Sequence, residues 1–217
     1  MPNVGFVCSC VEIIDESGKP AAVQSPSYRF FPNDWQESRI DFLRTYFLKH
    51  RPIGVPSSVM FRKLLVYPPG FNPKVDFAAD IEMWLRLALV SDFYYLDRVL
   101  CSCRVHPEGI SSAITMKNMF SYRELYELVR SIFRVHLPKH PELVPQVKTL
   151  ERSAWWNVTA AAVAQMVQAD DIEVRKSISR DITHNDPYLI NRLLAYIISV
   201  TGRLKHQFKP KLIIQAL

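Results

Sequence analysis

The chain changes character near residue 115, and that change limits the folds open to it. Residues 1–115 mix short strand-like runs, proline-rich turns and helix, whereas residues 116–217 read as helix alone. This order predicts an α/β domain followed by an all-α tail. A chain of 217 residues suffices for one substantial domain with an appendage. With 48% hydrophobic and 22% charged residues it can bury a core and stands well away from disordered compositions.

Within the first part, Val4–Ile14 (VGFVCSCVEII) is rich in β-branched and apolar residues and predicts a strand ending at the turn Asp15-Glu16-Ser17-Gly18. Residues 25–33 are aromatic and proline-rich, a loop. Residues 40–50 place Phe42, Leu43, Tyr46 and Phe47 at the spacing of a short helix. A strand is expected over 55–61, and a turn at Pro68-Pro69-Gly70. Residues 80–90 put Ile81, Trp84, Leu85 and Ala88 on one helical face. Residues 93–96 and 99–105 then read as a pair of closing strands. In the second part, helices are expected over 120–135, from near Pro141 to Gln168, and over 172–182. A last helix starts with Asp186 as N-cap and Pro187 at its first position, and stops near Gly202.

The 27 Lys and Arg against 21 Asp and Glu leave +6, which reads as spread along the chain with no Lys/Arg block of the kind found in nucleic-acid arms. Nucleic acid is therefore not expected as a partner; a phosphate-bearing substrate or an anionic membrane fits the surplus. The N-terminus shows no secretory signal, and the most apolar stretch, 189–200, falls short of the ~20 residues a spanning helix needs. A soluble, cytoplasmic protein is the expectation. The basic end, with Arg203, Lys205, Lys209 and Lys211 around Leu204, Phe208 and residues 212–214, could lie peripherally on the inner face of the cytoplasmic membrane, or pack its apolar residues on the helices as a solvated tail. The four cysteines form two Cys-Ser-Cys triplets, Cys8/Cys10 and Cys101/Cys103; they read as reduced core thiols or, in an uncommon spacing, as zinc ligands.

Chemistry concentrates between residues 52 and 112. Asp80 opens an amphipathic helix after a loop, where its carboxylate could face a cleft and accept a proton, or could serve as a helix N-cap. His106 follows a strand and precedes Pro107; it could ligate a divalent cation or sit in a loop. Arg104 on the same strand could contact phosphate oxygens or act as a strand-edge cation. Ser57 and Ser58 could contact a substrate or simply end a strand. Trp84 reads as core and Arg86 as one half of a structural salt bridge. Gly-rich phosphate loops, G-x-S-x-G and H-E-x-x-H are not found in these residues.

Taken in order, PIGVPSSVMFRK, GFNPKVDFAADIEMWLRLAL and FYYLDRVLCSCRVHPEGIS resemble the C-terminal, acceptor-side half of family-2 inverting glycosyltransferases, and VGFVCSCVEIIDESGK resembles the segment that follows that family's DXD motif. The similarity covers about residues 3–115. It implies a partial GT-A fold in residues 1–115, lacking the N-terminal nucleotide-binding half, with residues 116–217 as a helical extension. Asp80 would be the catalytic base, His106 a metal ligand, and Arg104, Ser57 and Ser58 substrate-binding residues. The family's second acidic residue before the base is Ala79 here. The implied reaction moves a sugar from a nucleotide-sugar donor to a carbohydrate or lipid-linked acceptor in cell-surface polysaccharide synthesis. Mg²⁺ or Mn²⁺ enters only when a DXD-bearing half completes the site. The alternative is a non-catalytic interaction module, or an inactive fragment, derived from such an enzyme.

Overall fold

The computed structural model describes residues 3–21, 27–49, 53–66, 70–105 and 122–201. The chain divides into two compact units, Met1–Pro73 with Ala79–Met119, and Lys74–Ala78 with Phe120–Leu217. The first is mixed α/β and the second is helical.

The first unit is organised by β1, Val4–Ile14. Cys10 and Val11 project to opposite sides of this strand, yet both are fully buried. Burial on both faces is what a largely apolar run permits, and pairing on both edges makes β1 an interior strand of a mixed sheet. One edge of β1 pairs antiparallel with two short strands, β2 (Ser27–Tyr28) and β4 (Val59–Phe61). The other edge pairs parallel with β5 (Asp92–Arg104), which in turn pairs antiparallel with β3 (Trp35–Glu37). Helices α1 (Arg39–Lys49) and α2 (Ala79–Ala88) complete the unit. Phe42 of α1 meets Phe6 and Phe93 at ring-centroid distances of 5.2 and 4.9 Å, and Phe6 and Phe93 meet at 5.1 Å. Trp84 of α2 is buried against Phe61 at 5.6 Å, the core role expected of it.

Two expectations for this unit are corrected. Residues 93–96 and 99–105 are not two strands but one, β5, running 13 residues. The polar Asp97-Arg98 that divides the apolar runs is a bulge: Ser9 faces Leu96, but the next residue, Cys10, faces Val99. Of the two extra residues, Asp97 is held by side chains, its N–H donating to Asp34 Oδ1 at 2.8 Å and its own Oδ1 pairing with Arg29 Nε at 2.8 Å. The strand expected over 55–61 opens instead as a 3₁₀ turn, Pro56–Ser58, and only Val59–Phe61 pair. Pro56 has no N–H to give a ladder. Ser58 donates both its N–H and its hydroxyl back to Val55 O, at 2.9 and 2.8 Å.

In the second unit α3 (Tyr122–Arg130) runs on through a π turn, Ser131–His136, and a 3₁₀ turn at Leu137–Lys139. The long helix expected from Pro141 is broken: a single helical turn, Val144–Val147, and a 3₁₀ turn, Lys148–Leu150, precede α4, Glu151–Gln168. Prolines at 141 and 145 withhold the N–H groups that a continuous helix would need there. Next come α5 (Ile172–Asn185), capped by Asp171, whose carboxylate accepts the Glu173 N–H at 2.7 Å, and α6 (Leu189–Thr201). The segment Lys74–Ala78 joins this unit through the Phe77 N–H, which donates to Glu124 Oε2 at 2.7 Å. Among the described residues no helix is long and apolar enough to cross a membrane.

Asp186 plays a larger part than the expected N-cap. The first helical residue of α6 is Leu189, and Asp186 is wholly buried. Its carboxylate accepts the Tyr188 N–H at 2.7 Å, the Asn191 side-chain amide at 3.0 Å and the Thr159 hydroxyl of α4. Thr159 in turn bonds the Tyr126 hydroxyl of α3 at 2.9 Å. Burial pushes the Tyr126 hydroxyl pKa up, so it stays a donor. One polar chain thus links α3, α4 and α6. Thr159→Val keeps the shape but removes the middle group, leaving buried partners unmatched. It should destabilise the helical unit by ~1–3 kcal/mol, measured as a lower urea midpoint by far-ultraviolet circular dichroism.

Candidate functional site

Asp80 sits in the first turn of α2. The loop before it is held by Arg86, whose guanidinium donates to Gly70 O and pairs through Nε with Glu82 Oε2 at 2.8 Å. Glu82 is fully buried and Arg86 nearly so, which bears out the structural salt bridge expected of Arg86. Gly70 lies at φ +87°, a conformation side chains other than glycine's rarely adopt. This clamp sets where α2 begins, and so where Asp80 stands.

The Asp80 carboxyl is half-buried, and Oδ1 accepts the Ile81 N–H at 2.7 Å. Burial raises its pKa above the usual aspartate range, with the backbone N–H partly offsetting the rise. Tyr46 of α1 shares this environment: burial raises its hydroxyl pKa, and the charge of Asp80 raises it further. The helical spacing of residues 40–50 marks Tyr46 only as part of an apolar stripe; the sequence carries no signal that the charge of Asp80 reaches it. A desolvated carboxylate whose proton affinity is shifted toward neutrality is suited to accept a proton from a hydroxyl.

The other expected site residues are placed as follows. Ser57 is exposed. Ser58 is buried, its hydroxyl donated to Val55 O and lying 3.4 Å from Cys8 Sγ. A Cβ on Gly54 would come within 2.2 Å of that sulfur and 2.4 Å of Ser58 Oγ, so glycine is what lets this corner close. Arg104 ends β5, and its Nη1 donates to the carbonyls of Asp15 and Glu16, both at 2.8 Å. That turn is built by Asp15, whose carboxyl accepts the Ser17 hydroxyl at 2.7 Å and the Lys19 N–H at 3.0 Å; these bonds, with a smaller contribution from Arg104, hold its pKa below the usual range. No hydrogen bond or ion pair among the described residues joins Asp80 to Ser57, Ser58 or Arg104. His106 and the basic residues from Arg203 onward lie outside the described residues.

The two Cys-Ser-Cys triplets lie on neighbouring parallel strands but out of step. Cys8 and Cys10 face Tyr95 and Val99, while Cys101 and Cys103 face Val11 and Ile13. All four are free thiols, and Cys10 Sγ is 2.7 Å from the Tyr95 hydroxyl. Among the described residues no group of three or more His, Cys, Asp or Glu side chains could hold a metal ion. His106, the metal ligand that the similarity implies for this chain, is not among them.

A cavity of about 430 Å³ opens at the amino ends of β1 and β5, lined by Arg39, Arg62, Ser91 and Asp92 among others. Arg62 Nε is spent on Val4 O at 2.7 Å, and the Asp92 carboxylate accepts the Arg39 N–H at 3.0 Å. Sequence spacing does not bring these residues together; the parallel pairing of β1 and β5 does. Ligands in open α/β sheets bind at the carboxyl ends of strands, the opposite end of this pair. Compared with protein-family models, curated proteins and solved structures, the chain matches none.

Asp80 gives a test by stability. An acid whose pKa is raised on folding binds more protons in the native state, so the native state loses stability as pH rises from the ordinary aspartate value of about 3.9 through the raised one. Asp80→Asn keeps an acceptor for the Ile81 N–H and removes the charge. Its melting temperature should exceed the parent's at pH near 7, and the difference should vanish below about pH 4 in a buffer series followed by scanning fluorimetry. A variant no more stable than the parent near neutrality would show that Asp80 is not held against a desolvation cost.

Proposed function

We propose that this chain supplies the acceptor side of an inverting sugar transfer, with Asp80 as general base. The observation that carries the proposal is the half-buried Asp80 carboxyl, with its raised pKa, at the start of a helix clamped by Arg86. Further support comes from the ordered motifs that resemble the acceptor half of family-2 glycosyltransferases, and from an α/β arrangement compatible with part of a GT-A fold. In the proposed step the acceptor hydroxyl oxygen bonds to the anomeric carbon while that carbon's bond to the diphosphate oxygen breaks. Asp80 takes the hydroxyl proton and later returns it to solvent, and the nucleoside diphosphate leaves with the bonding pair. Donor binding falls to an α/β half ending in DXD, together with its Mg²⁺ or Mn²⁺ and with His106 as a ligand. With this reading go a cytoplasmic location and a carbohydrate or lipid-linked acceptor.

A second reading, a non-catalytic interaction module, is favoured by specific observations. Arg104 and Ser58, both expected to bind substrate, are committed to backbone carbonyls. Met60 on the short strand β4 and Leu64 beyond it are 72% and 95% exposed, apolar surface suited to a partner.

The test joins this chain to a donor-binding half and measures transfer from a panel of nucleotide sugars with Mn²⁺. General-base assistance contributes about 10²–10⁴-fold, so Asp80→Asn should lower turnover by that range with the fold intact by circular dichroism. Calorimetry on the chain alone should give no micromolar affinity for UDP- or GDP-sugars. Turnover of Asp80→Asn within a factor of about three of the parent, far short of general-base assistance, would return Asp80 to a helix-start role and favour the interaction module.

A further inference from the structure

Four large apolar residues of helix α6 face outward. Leu189, Leu193 and Tyr196 recur at i, i+4 and i+7, so they form one stripe, and Ile190 flanks it. These four are 68%, 50%, 65% and 64% exposed, in the order Leu189, Leu193, Tyr196, Ile190. Of the residues of α6 whose side chains are described, two are buried: Ala195 fully, and Asn191 with its amide on Asp186. Arg192 also reaches inward, its Nε donating to Asp186 O at 2.6 Å. A helix packed only on its own domain turns polar residues to solvent, not four large apolar ones. The polar network centred on Asp186 holds α6 in this orientation, so the exposed stripe is built in.

Charge indicates what the stripe meets. The cations do not in fact spread evenly: residues 187–217 contain Arg192, Arg203, Lys205, Lys209 and Lys211 and no Asp or Glu. They carry five of the net six charges, leaving 22 cations against 21 acids in residues 1–186. An outward apolar stripe followed in sequence by cations without any acid is complementary to a surface that is both apolar and anionic. The same charge repels a second copy of this segment. We infer that α6 docks in the plane of an anionic lipid bilayer, with Leu189, Ile190, Leu193 and Tyr196 in the headgroup–acyl boundary. At 13 residues α6 lies on the surface and does not span it.

The test uses the full chain, co-sedimented with vesicles of phosphatidylglycerol mixed with phosphatidylcholine and with vesicles of phosphatidylcholine alone. Binding should favour the anionic vesicles by about tenfold or more and weaken in high salt. Leu193→Glu should weaken it by roughly tenfold, the equivalent of withdrawing one leucine from the apolar phase, with the melting temperature unchanged because the site is half exposed. Equal binding to both vesicle types would overturn the inference, as would binding to neither. A concentration-dependent dimer in analytical ultracentrifugation that Leu193→Glu abolishes would assign the stripe to a second copy instead. A drop of several degrees in the melting temperature of Leu193→Glu would show the stripe to be covered within the chain.

Discussion

The parallel pairing of β1 with β5 is the constraint from which the rest of the α/β unit follows. Parallel strands cannot be joined by a tight turn, so a long crossover must run between Ile14 and Asp92. That crossover carries β2, β3, α1, β4 and α2, and each is placed by what β1 and β5 leave open. The free edge of β1 takes β4 and then β2, one after the other along it, and the free edge of β5 takes β3. Phe6 and Phe93, brought alongside by the register, form with Phe42 the aromatic cluster on which α1 rests. Since α2 ends four residues before β5 begins, the same register also sets the position of Asp80.

The helical unit rests on a different kind of interaction. Its apolar helices could slide or rotate against one another at modest cost, because hydrophobic contact is non-directional. A buried carboxylate is directional and costly to leave unmatched. Asp186 collects donors from α4 and from the start of α6, and the Tyr126–Thr159 bond extends the chain to α3. Only a narrow set of helix rotations satisfies all of them. This is why α6 turns Asn191 inward and leaves Leu189 and Leu193 outside.

Much of the secondary structure was legible because it follows from local rules. The extent of β1 is a largely apolar run bounded by the Asp15–Gly18 turn, and α1, α2 and α5 follow from helical spacing and from caps such as Asp171. Errors arose where a local signal had a non-local resolution. Asp97-Arg98 reads as a break between strands, yet Asp34 and Arg29, distant in sequence, hold Asp97 in a bulge and let the strand continue. The candidate site shows the same division. Asp80 could be singled out from its place before an amphipathic helix, but Tyr46 could not be matched to it, and nothing local showed that Arg104 spends its guanidinium on the carbonyls of residues 15 and 16.

By itself, then, the sequence determined that an α/β region precedes a helical one, where the principal strand and most helices lie, and which carboxylate opens α2. These depend on the period of apolar residues and on the backbone preferences of proline, glycine and aspartate, which act over a few residues. Only the tertiary structure decided that β1 and β5 run parallel, that Ser58 and Arg104 are turned to internal use, that Asp186 is buried rather than capping at the surface, and that α6 faces its apolar stripe outward. Each of these turns on satisfying buried polar groups and packing volumes with partners tens of residues away, and the interactions that select among such pairings leave no periodic trace in the chain.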